Sequence, residues 1–205
     1  MGQTSEAATR RHTSHSVIII PRNTPGVKVV RPLHVMGYDD APYGHAEILF
    51  ENVRVPKSNI IAGVGKGFEV VQGRLGPGRL HHCMRTIGLG ERALKLLMSR
   101  LTSSRQTFSV PLYKHELLLE RVARSRIIIE RNRLLVLMAA RKIDLEGPKS
   151  AKREIAWCKI SVPTEIHQLI DWAIQAHGAE GLCEVPLSHR QTAHLPKGPD
   201  RILTH

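Results

Sequence analysis

Between Gly63 and Gly78 the chain changes its period, and that change limits the folds open to it. Upstream, short β-branched runs are cut by prolines and glycines. Downstream, apolar residues recur every three or four positions. Ser16–Ile20, Val27–Arg31, Ala46–Phe50 and Asn52–Val55 read as strands, the first closed by Pro21 and the last by Pro56. Leu80, Met84, Ile87, Leu94, Met98 and Leu101 then predict a helix from Arg79 to about Leu101, with Gly76-Pro77-Gly78 as the interruption before it. The fold class is therefore α+β: a partial antiparallel β domain followed by an up-down helical bundle.

The joints have their own chemistry. Thr24-Pro25-Gly26-Val27 has the residues of a type II turn, with Pro25 setting φ and Gly26 accepting a positive one. A loop is expected over 102–111. The second helix should run from Tyr113 to about Asp144. Its runs at Leu117–Leu119, Ile127–Ile129 and Leu134–Met138 predict burial on several sides. Glu146-Gly147-Pro148 ends it, and Ser150 is placed to cap a third helix from Ala151 to about His177. Pro163 should kink or split that helix, because it removes a backbone donor. Gly178-Ala179-Glu180-Gly181 stops it, and the tail beyond Leu182 loses its period. Three long helices want a fourth partner, supplied by the tail or by another subunit. An incomplete bundle beside an incomplete sheet points to oligomerisation or truncation.

Composition narrows function less than fold. Hydrophobic residues make up 41% and aromatics only 4%, so the core is aliphatic. The net charge of +12 invites an anionic partner such as nucleic acid, a phosphate-bearing cofactor or an acidic membrane. A solvated basic surface explains it equally well. The basic residues are spread without a polybasic block, which argues against nucleic acid. Cys83, Cys158 and Cys183 are far apart and form no CxxC, as in a reducing compartment. No apolar run suits a transmembrane span or a secretory signal, and the Ser/Thr-rich start reads as loop. His81-His82-Cys83 cannot converge on one metal ion from consecutive helical positions. Gly63-Val64-Gly65-Lys66-Gly67 lacks the βαβ setting of a dinucleotide fingerprint.

Seven segments in order nevertheless resemble one family. They are Asn23–Val27, Phe50–Pro56, Gly65–Phe68, Gln72–Arg79, Gly88–Leu94, Arg105–Phe108 and Asp171–Ala176. Together they look like the acyl-CoA dehydrogenases, closest to the long, multidomain vertebrate members ten and eleven. The resemblance covers roughly 15–187. It implies that 16–63 belong to the middle β domain and 64–187 to the C-terminal helical domain. A disordered start at 1–15 and a divergent tail at 188–205 flank them. It implies FAD at subunit interfaces, α,β-dehydrogenation of acyl-CoA thioesters in fatty-acid β-oxidation, and electron transfer to an electron-transferring flavoprotein. A homo-oligomer, dimer or tetramer, and a mitochondrial or peroxisomal setting go with it, although no targeting signal is visible.

The same resemblance assigns residues. Arg105 is similar to the arginine of an Arg-x-Thr-Phe-Gly motif that reaches the FAD pyrophosphate of a neighbouring subunit, and Phe108 to the phenylalanine beside it. Gln175, Gly178 and Gly181 resemble the Gln and Gly-Gly-x-Gly positions where that FAD lies close to backbone. Arg79 falls on the substrate side. Without the family, Arg105 is a loop charge, Phe108 core, Gln175 a solvated position and the glycines a helix stop. Three departures stand out. Ser109 replaces the motif glycine, Ala179 the second loop glycine, and Glu180 brings negative charge toward a phosphate-bearing ligand. The catalytic carboxylate is also missing from both places the family uses. Lys197 holds one and Gly78 the other, leaving Asp200 as a weak substitute. A lysine protonated at neutral pH cannot take the α proton. The resemblance begins partway through the family pattern, without the part that contacts the flavin ring. A chain that is incomplete or divergent, and inactive alone, is therefore expected. A non-catalytic assembly partner of full-length relatives is the alternative, and a basic nucleic-acid-binding protein a more distant one.

Overall fold

The computed structural model describes residues 1–4, 12–35 and 42–183. The chain divides into two compact units, Met1–Arg74 and Leu75–His205.

In the first unit, β1 (Gly2–Gln3), β2 (His15–Ile18) and β5 (Ile60–Ile61) form one antiparallel sheet in the order β1-β2-β5. Gly2 pairs with Ser16, so the start that reads as loop supplies an edge strand. β3 (Val27–Leu33) and β4 (His45–Phe50) form a separate antiparallel ribbon, Val27 opposite Phe50 and Leu33 opposite His45, with an irregularity between Val29 and Arg31. The turn before β3 has the expected geometry: Gly26 has φ +90°, and Val27 N donates to Thr24 O at 3.1 Å. Cross-strand pairs Lys28–Glu51 and Arg31–Glu47, each 2.7 Å, sit on the ribbon's surface. The strand expected at Asn52–Val55 does not form. Asn52 takes φ +50°, which turns the chain out of β4. A 3-10 turn at Lys57–Asn59 follows, and pairing resumes at β5. The glycine joint is fitted to β2 rather than loose. Gly65 N donates to Ser16 Oγ at 2.8 Å, and a Cβ on Gly65, at φ +76°, would lie 2.7 Å from Thr13 O.

α1 runs unbroken from Gly67 to Leu101, through the Gly76-Pro77-Gly78 segment expected to interrupt it. Pro77 removes one intrahelical donor and the glycines cost propensity. Helical turns on either side carry the helix through, because propagation is cheaper than fresh nucleation.

In the second unit, α2 (Glu116–Glu146) and α3 (Lys152–His177) join α1. The buried core takes Leu80, Cys83, Ile87, Leu94, Leu97 and Leu101 from α1. Ile129, Val136 and Ala139 come from α2, and Ile155, Cys158, Val162, Ile166, Leu169 and Ile170 from α3. Each large aliphatic side chain buried here contributes about 1.5–3 kcal/mol. α2 is not buried on several sides. Its buried positions Ser125, Ile129, Asn132, Val136 and Ala139 form one stripe, while Ile127, Leu134, Leu137, Met138 and Leu145 are exposed. Ser150 is not the cap of α3. Its hydroxyl donates back to Gly147 O at 2.7 Å, and Ala151 precedes the helix without a side-chain cap. Pro163 is buried within α3 and does not split it.

Gly90 lets α1 pack tightly against α3: a Cβ there would lie 2.9 Å from Ile166 Cδ1 and 3.2 Å from its Cγ2. Gly88, two positions earlier, has nothing within 4 Å of the same point. Gly90→Val is expected to cost about 2 kcal/mol through overpacking. Gly88→Ala should stabilise by up to about 1 kcal/mol through helix propensity. Urea unfolding midpoints of the two variants decide whether tight packing or mere flexibility explains this glycine pair.

Ion pairs tie the helices at their margins. Glu91 of α1 meets Arg126 and Arg133 of α2, which also hold Glu130. Lys142 donates to Glu154 at 2.8 Å across α2 and α3. Burial pushes the Glu91 carboxyl up, but hydrogen bonds from Arg133 and Arg126 outweigh it and hold it below the ordinary carboxylate value. Hydrogen bonding from Arg133 lowers Glu130, and from Lys142 lowers Glu154. Carboxyls lowered in the folded state stabilise it above their unfolded pKa, and that contribution is lost as pH falls through the folded values. Stability from urea titrations should therefore stay level from pH 7 down to about 4.5 as far as these groups decide it, then fall on further acidification. A profile that rises below pH 4.5 would contradict the pairing.

Candidate functional site at the α1–α3 end of the helical unit

The connection from α1 to α2 is a hairpin rather than a plain loop. β6 (Gln106–Thr107) and β7 (Val110–Pro111) pair antiparallel, Thr107 opposite Val110. The two residues between them, Phe108 and Ser109, have φ +52° and +61°. Positive φ at both central positions is the type I′ pattern that matches strand twist. Glycine meets it without strain, so Ser109 occupies a conformation that a glycine would hold more cheaply. Phe108 is 96% exposed and is not a core residue. Thr107 Oγ1 and His115 Nε2, 2.9 Å apart, anchor the hairpin to the start of α2.

Arg105 stands at the root of this hairpin. It is exposed, and its guanidinium has no hydrogen-bond or ion-pair partner among the described residues. Its backbone N–H donates to Ser103 Oγ at 3.3 Å, and the Ser103 hydroxyl donates to Arg100 O at 2.7 Å.

Arg100, in the last turn of α1, reaches the opposite way. Its Nε donates to Ala176 O at 3.4 Å and its Nη2 to His177 O at 3.2 Å, while Nη1 pairs with Glu180 Oε2 at 3.0 Å. These carbonyls belong to the last turn of α3, where backbone acceptors lack intrahelical donors. Gly178 ends α3 at φ +65°, its N–H donating to Gln175 O, and a 3-10 turn covers Gly178–Leu182. A Cβ on Gly178 would meet nothing within 4 Å, so this backbone is open to approach. Gly181 differs: a Cβ there would lie 2.6 Å from Ile174 O, so chain packing alone excludes a side chain. Gln175 is exposed, with no side-chain partner among the described residues. Glu180 does not present a free charge, since Arg100 takes it up.

One end of the helical unit thus gathers Arg105, Gln175, Gly178 and Gly181 around Arg100 and Ser103, which sequence reading did not single out. An arginine in the last turn of a helix is too common a pattern to mark either. Arg79 is exposed and lies about 30 Å along α1 from Arg100 at 1.5 Å per residue, with Gly78 beside it. These two belong to the other end of α1. Lys197 and Asp200 lie outside the described residues.

The two buried thiols of the unit are poor nucleophiles at neutral pH. Burial pushes the Cys158 thiol up to about 11, and nearby Cys83 adds to the rise. Burial likewise raises Cys83. Among the described residues no group of three His, Cys, Asp or Glu side chains converges for a metal ion, and no helix is long and apolar enough to cross a membrane.

An unpaired planar guanidinium and an open, positive-φ backbone each suit a diphosphate. The fork bonds anionic oxygens in pairs, and bare backbone admits close contact.

Residues 65–196 match the family model for the acyl-CoA dehydrogenase C-terminal domain. The chain belongs to the acyl-CoA dehydrogenase family. Acyl-CoA dehydrogenase family member 11 from Mus musculus is 47% identical over 208 residues, covering 98% of this chain and 27% of the relative. Family member 10 from the same organism is 47% identical over 207 residues, covering 19% of its length. The chain thus spans about a quarter or less of these relatives. A solved structure from Mycobacterium abscessus, described as an acyl-CoA dehydrogenase, superposes with a TM-score of 0.80 at 44% identity, over 90% of this chain and 46% of that one. Butyryl-CoA dehydrogenase from Megasphaera elsdenii gives 0.71 at 26% identity, over 86% and 45%. The expected family and the α+β class with a helical C-terminal domain both hold.

Proposed function

We propose that this acyl-CoA dehydrogenase chain takes part in FAD-dependent α,β-dehydrogenation of acyl-CoA thioesters, and that its helical unit holds the diphosphate end of FAD belonging to a neighbouring subunit. The observation that carries the reading is the open Arg105 guanidinium, whose own backbone is tied through Ser103 and Arg100 to the end of α3. Arg105 would bond the diphosphate oxygens, Gln175 would offer its amide, and Gly178 would let backbone approach. When bound, FAD supplies the acceptor for the hydride leaving the acyl β carbon. Removal of the α proton needs a base, and Gly78 provides none at one of the two family positions. Arg79, exposed at that end of α1, is left to face the acyl-CoA. An electron-transferring flavoprotein is the redox partner that this reading implies.

The exposed apolar positions Ile127, Leu134, Met138 and Leu145 along α2 favour assembly with a further subunit, which the interface character of the site also requires. Whether that subunit is a second copy or a full-length relative separates the enzyme reading from the assembly-partner reading.

The test is the absorbance spectrum of the purified chain with its mass in solution, followed by anaerobic addition of an acyl-CoA. The expected result is an oligomer with flavin bands that acyl-CoA leaves unbleached. Bleaching would show that a base is present after all. Absence of flavin after reconstitution with FAD would overturn the cofactor reading.

A further inference from the structure

We infer that Arg100 is a positioning residue that sets the Arg105 root and the Gly178–Leu182 turn as one unit, so that a single diphosphate can be held by both. The inference rests on the FAD reading of this end of the helical unit.

Arg100 acts in two directions. Its guanidinium side, with the side chain only 17% exposed, is fastened to three acceptors on the α3 terminus: Ala176 O, His177 O and Glu180 Oε2. That fixes where α3 ends and how the following turn leaves it. The neighbouring His177 adds to this. Its Nδ1–H donates to Ala173 O at 2.8 Å, one turn back. On the main-chain side, Arg100 O accepts from Ser103 N at 3.2 Å and from the Ser103 hydroxyl at 2.7 Å. The same hydroxyl oxygen accepts the Arg105 N–H at 3.3 Å. The turn leaving α1 is thereby closed, and the direction in which Arg105 sets out is fixed.

Any residue would supply that carbonyl, but few side chains could fasten the α3 terminus to it. A guanidinium has donors in a planar fork and can serve carbonyls and a carboxylate at separate angles. A lysine ammonium carries its three donors on one atom and lacks the planar fork that spans these acceptors. Glu180 then has a role in the family's variable loop position. Its carboxylate balances Arg100, so the charge left open toward an anion is that of Arg105. Arg100 itself, with Nε and both Nη atoms turned to the α3 terminus, does not contact the ligand.

The experiment compares Arg100→Met, Arg100→Lys, Arg105→Met and the Arg100→Met/Arg105→Met double variant with the unchanged chain. FAD affinity is read by flavin fluorescence titration, below the melting temperature of every variant. Amide hydrogen exchange is read over 103–107 and 178–183. Arg100→Met should weaken FAD about tenfold and speed exchange in both segments together. Arg100→Lys should recover part of the affinity. The double variant should lose less than the product of the two single losses, because part of the Arg100 effect passes through the placement of Arg105 and non-additivity marks such coupling. Unchanged affinity in Arg100→Met, or faster exchange in only one segment, overturns the inference. So does a double variant whose loss is the product of the two single losses. Failure of the unchanged chain to bind FAD is a different result: it removes the cofactor reading first, and the positioning role with it.

Discussion

Arg105→Met is expected to weaken FAD binding about thirtyfold while leaving the melting temperature unchanged. The two halves have one cause: the guanidinium is exposed and bonds nothing among the described residues, so the fold loses nothing with it. A charge-assisted hydrogen bond contributes about 1.5–3 kcal/mol, and about 2 kcal/mol is thirtyfold at room temperature. Arg105→Lys keeps the charge but loses the fork, so it should lie between the two, about fivefold weaker than the unchanged chain. Because the site is open to solvent, affinity of the unchanged chain should fall as salt is raised, and the Met variant should show a shallower dependence. Fluorescence titrations at two ionic strengths read both effects. Equal affinity in the chain and its Met variant would remove Arg105 from the site.

Sequence periodicity located the three helices because each carries an uninterrupted aliphatic stripe against the same core. It failed at the start of α1, where glycines and a proline read as a break. Local propensity is a per-residue cost, and a helix held on both sides absorbs it. Periodicity also overstated the burial of α2. Ile127, Leu134 and Met138 are as apolar as Ile129 and Val136, and only the packing partners reveal which stripe is covered. The hairpin at 106–111 was hidden because Phe108 and Ser109 lack the Asn-Gly signature that usually announces two positive φ values. Asn52 left a weak sign of its own, being among the residue types that tolerate the left-handed region.

The candidate site was legible only through family resemblance. Arg105 and Gln175 are surface residues with no periodic signal, and they lie far apart in sequence. What joins them is tertiary: a side chain from the last turn of α1 bonding the last carbonyls of α3. The resemblance singles out Arg105, Gln175, Gly178 and Gly181 but not Arg100, which bonds the end of α3. It also misjudged Glu180, whose charge is answered by Arg100 within the same end of the unit.

The interface between α2 and α3 should be the most sensitive place in the fold, and Asn132→Leu is expected to cost about 3 kcal/mol. Asn132 is fully buried. Its Nδ2 donates to Ile128 O at 2.9 Å and to Glu165 Oε2 at 2.6 Å, and its Oδ1 accepts from the Ser161 hydroxyl at 3.0 Å. Leucine fits the volume but abandons the Ser161 hydroxyl and one bond to Glu165, and each buried group left unpaired costs about 1–3 kcal/mol. Arg131, 2.7 Å from Glu165, limits the second loss by keeping that carboxylate paired. Asn132→Asp separates polarity from geometry. It keeps the shape and the acceptor for Ser161, but sets a carboxyl oxygen against Glu165 where an amide donor stood. Facing like charge, the introduced carboxyl should titrate above the usual carboxylate range. The variant would then be weakest at neutral pH and regain stability as the pH falls through that raised value, opposite in sign to the unchanged chain's own acid response. Urea unfolding of the chain and both variants at pH 7 and pH 5 measures this, and an Asp variant as stable as the unchanged chain at both pH values would show that Asn132 merely fills space.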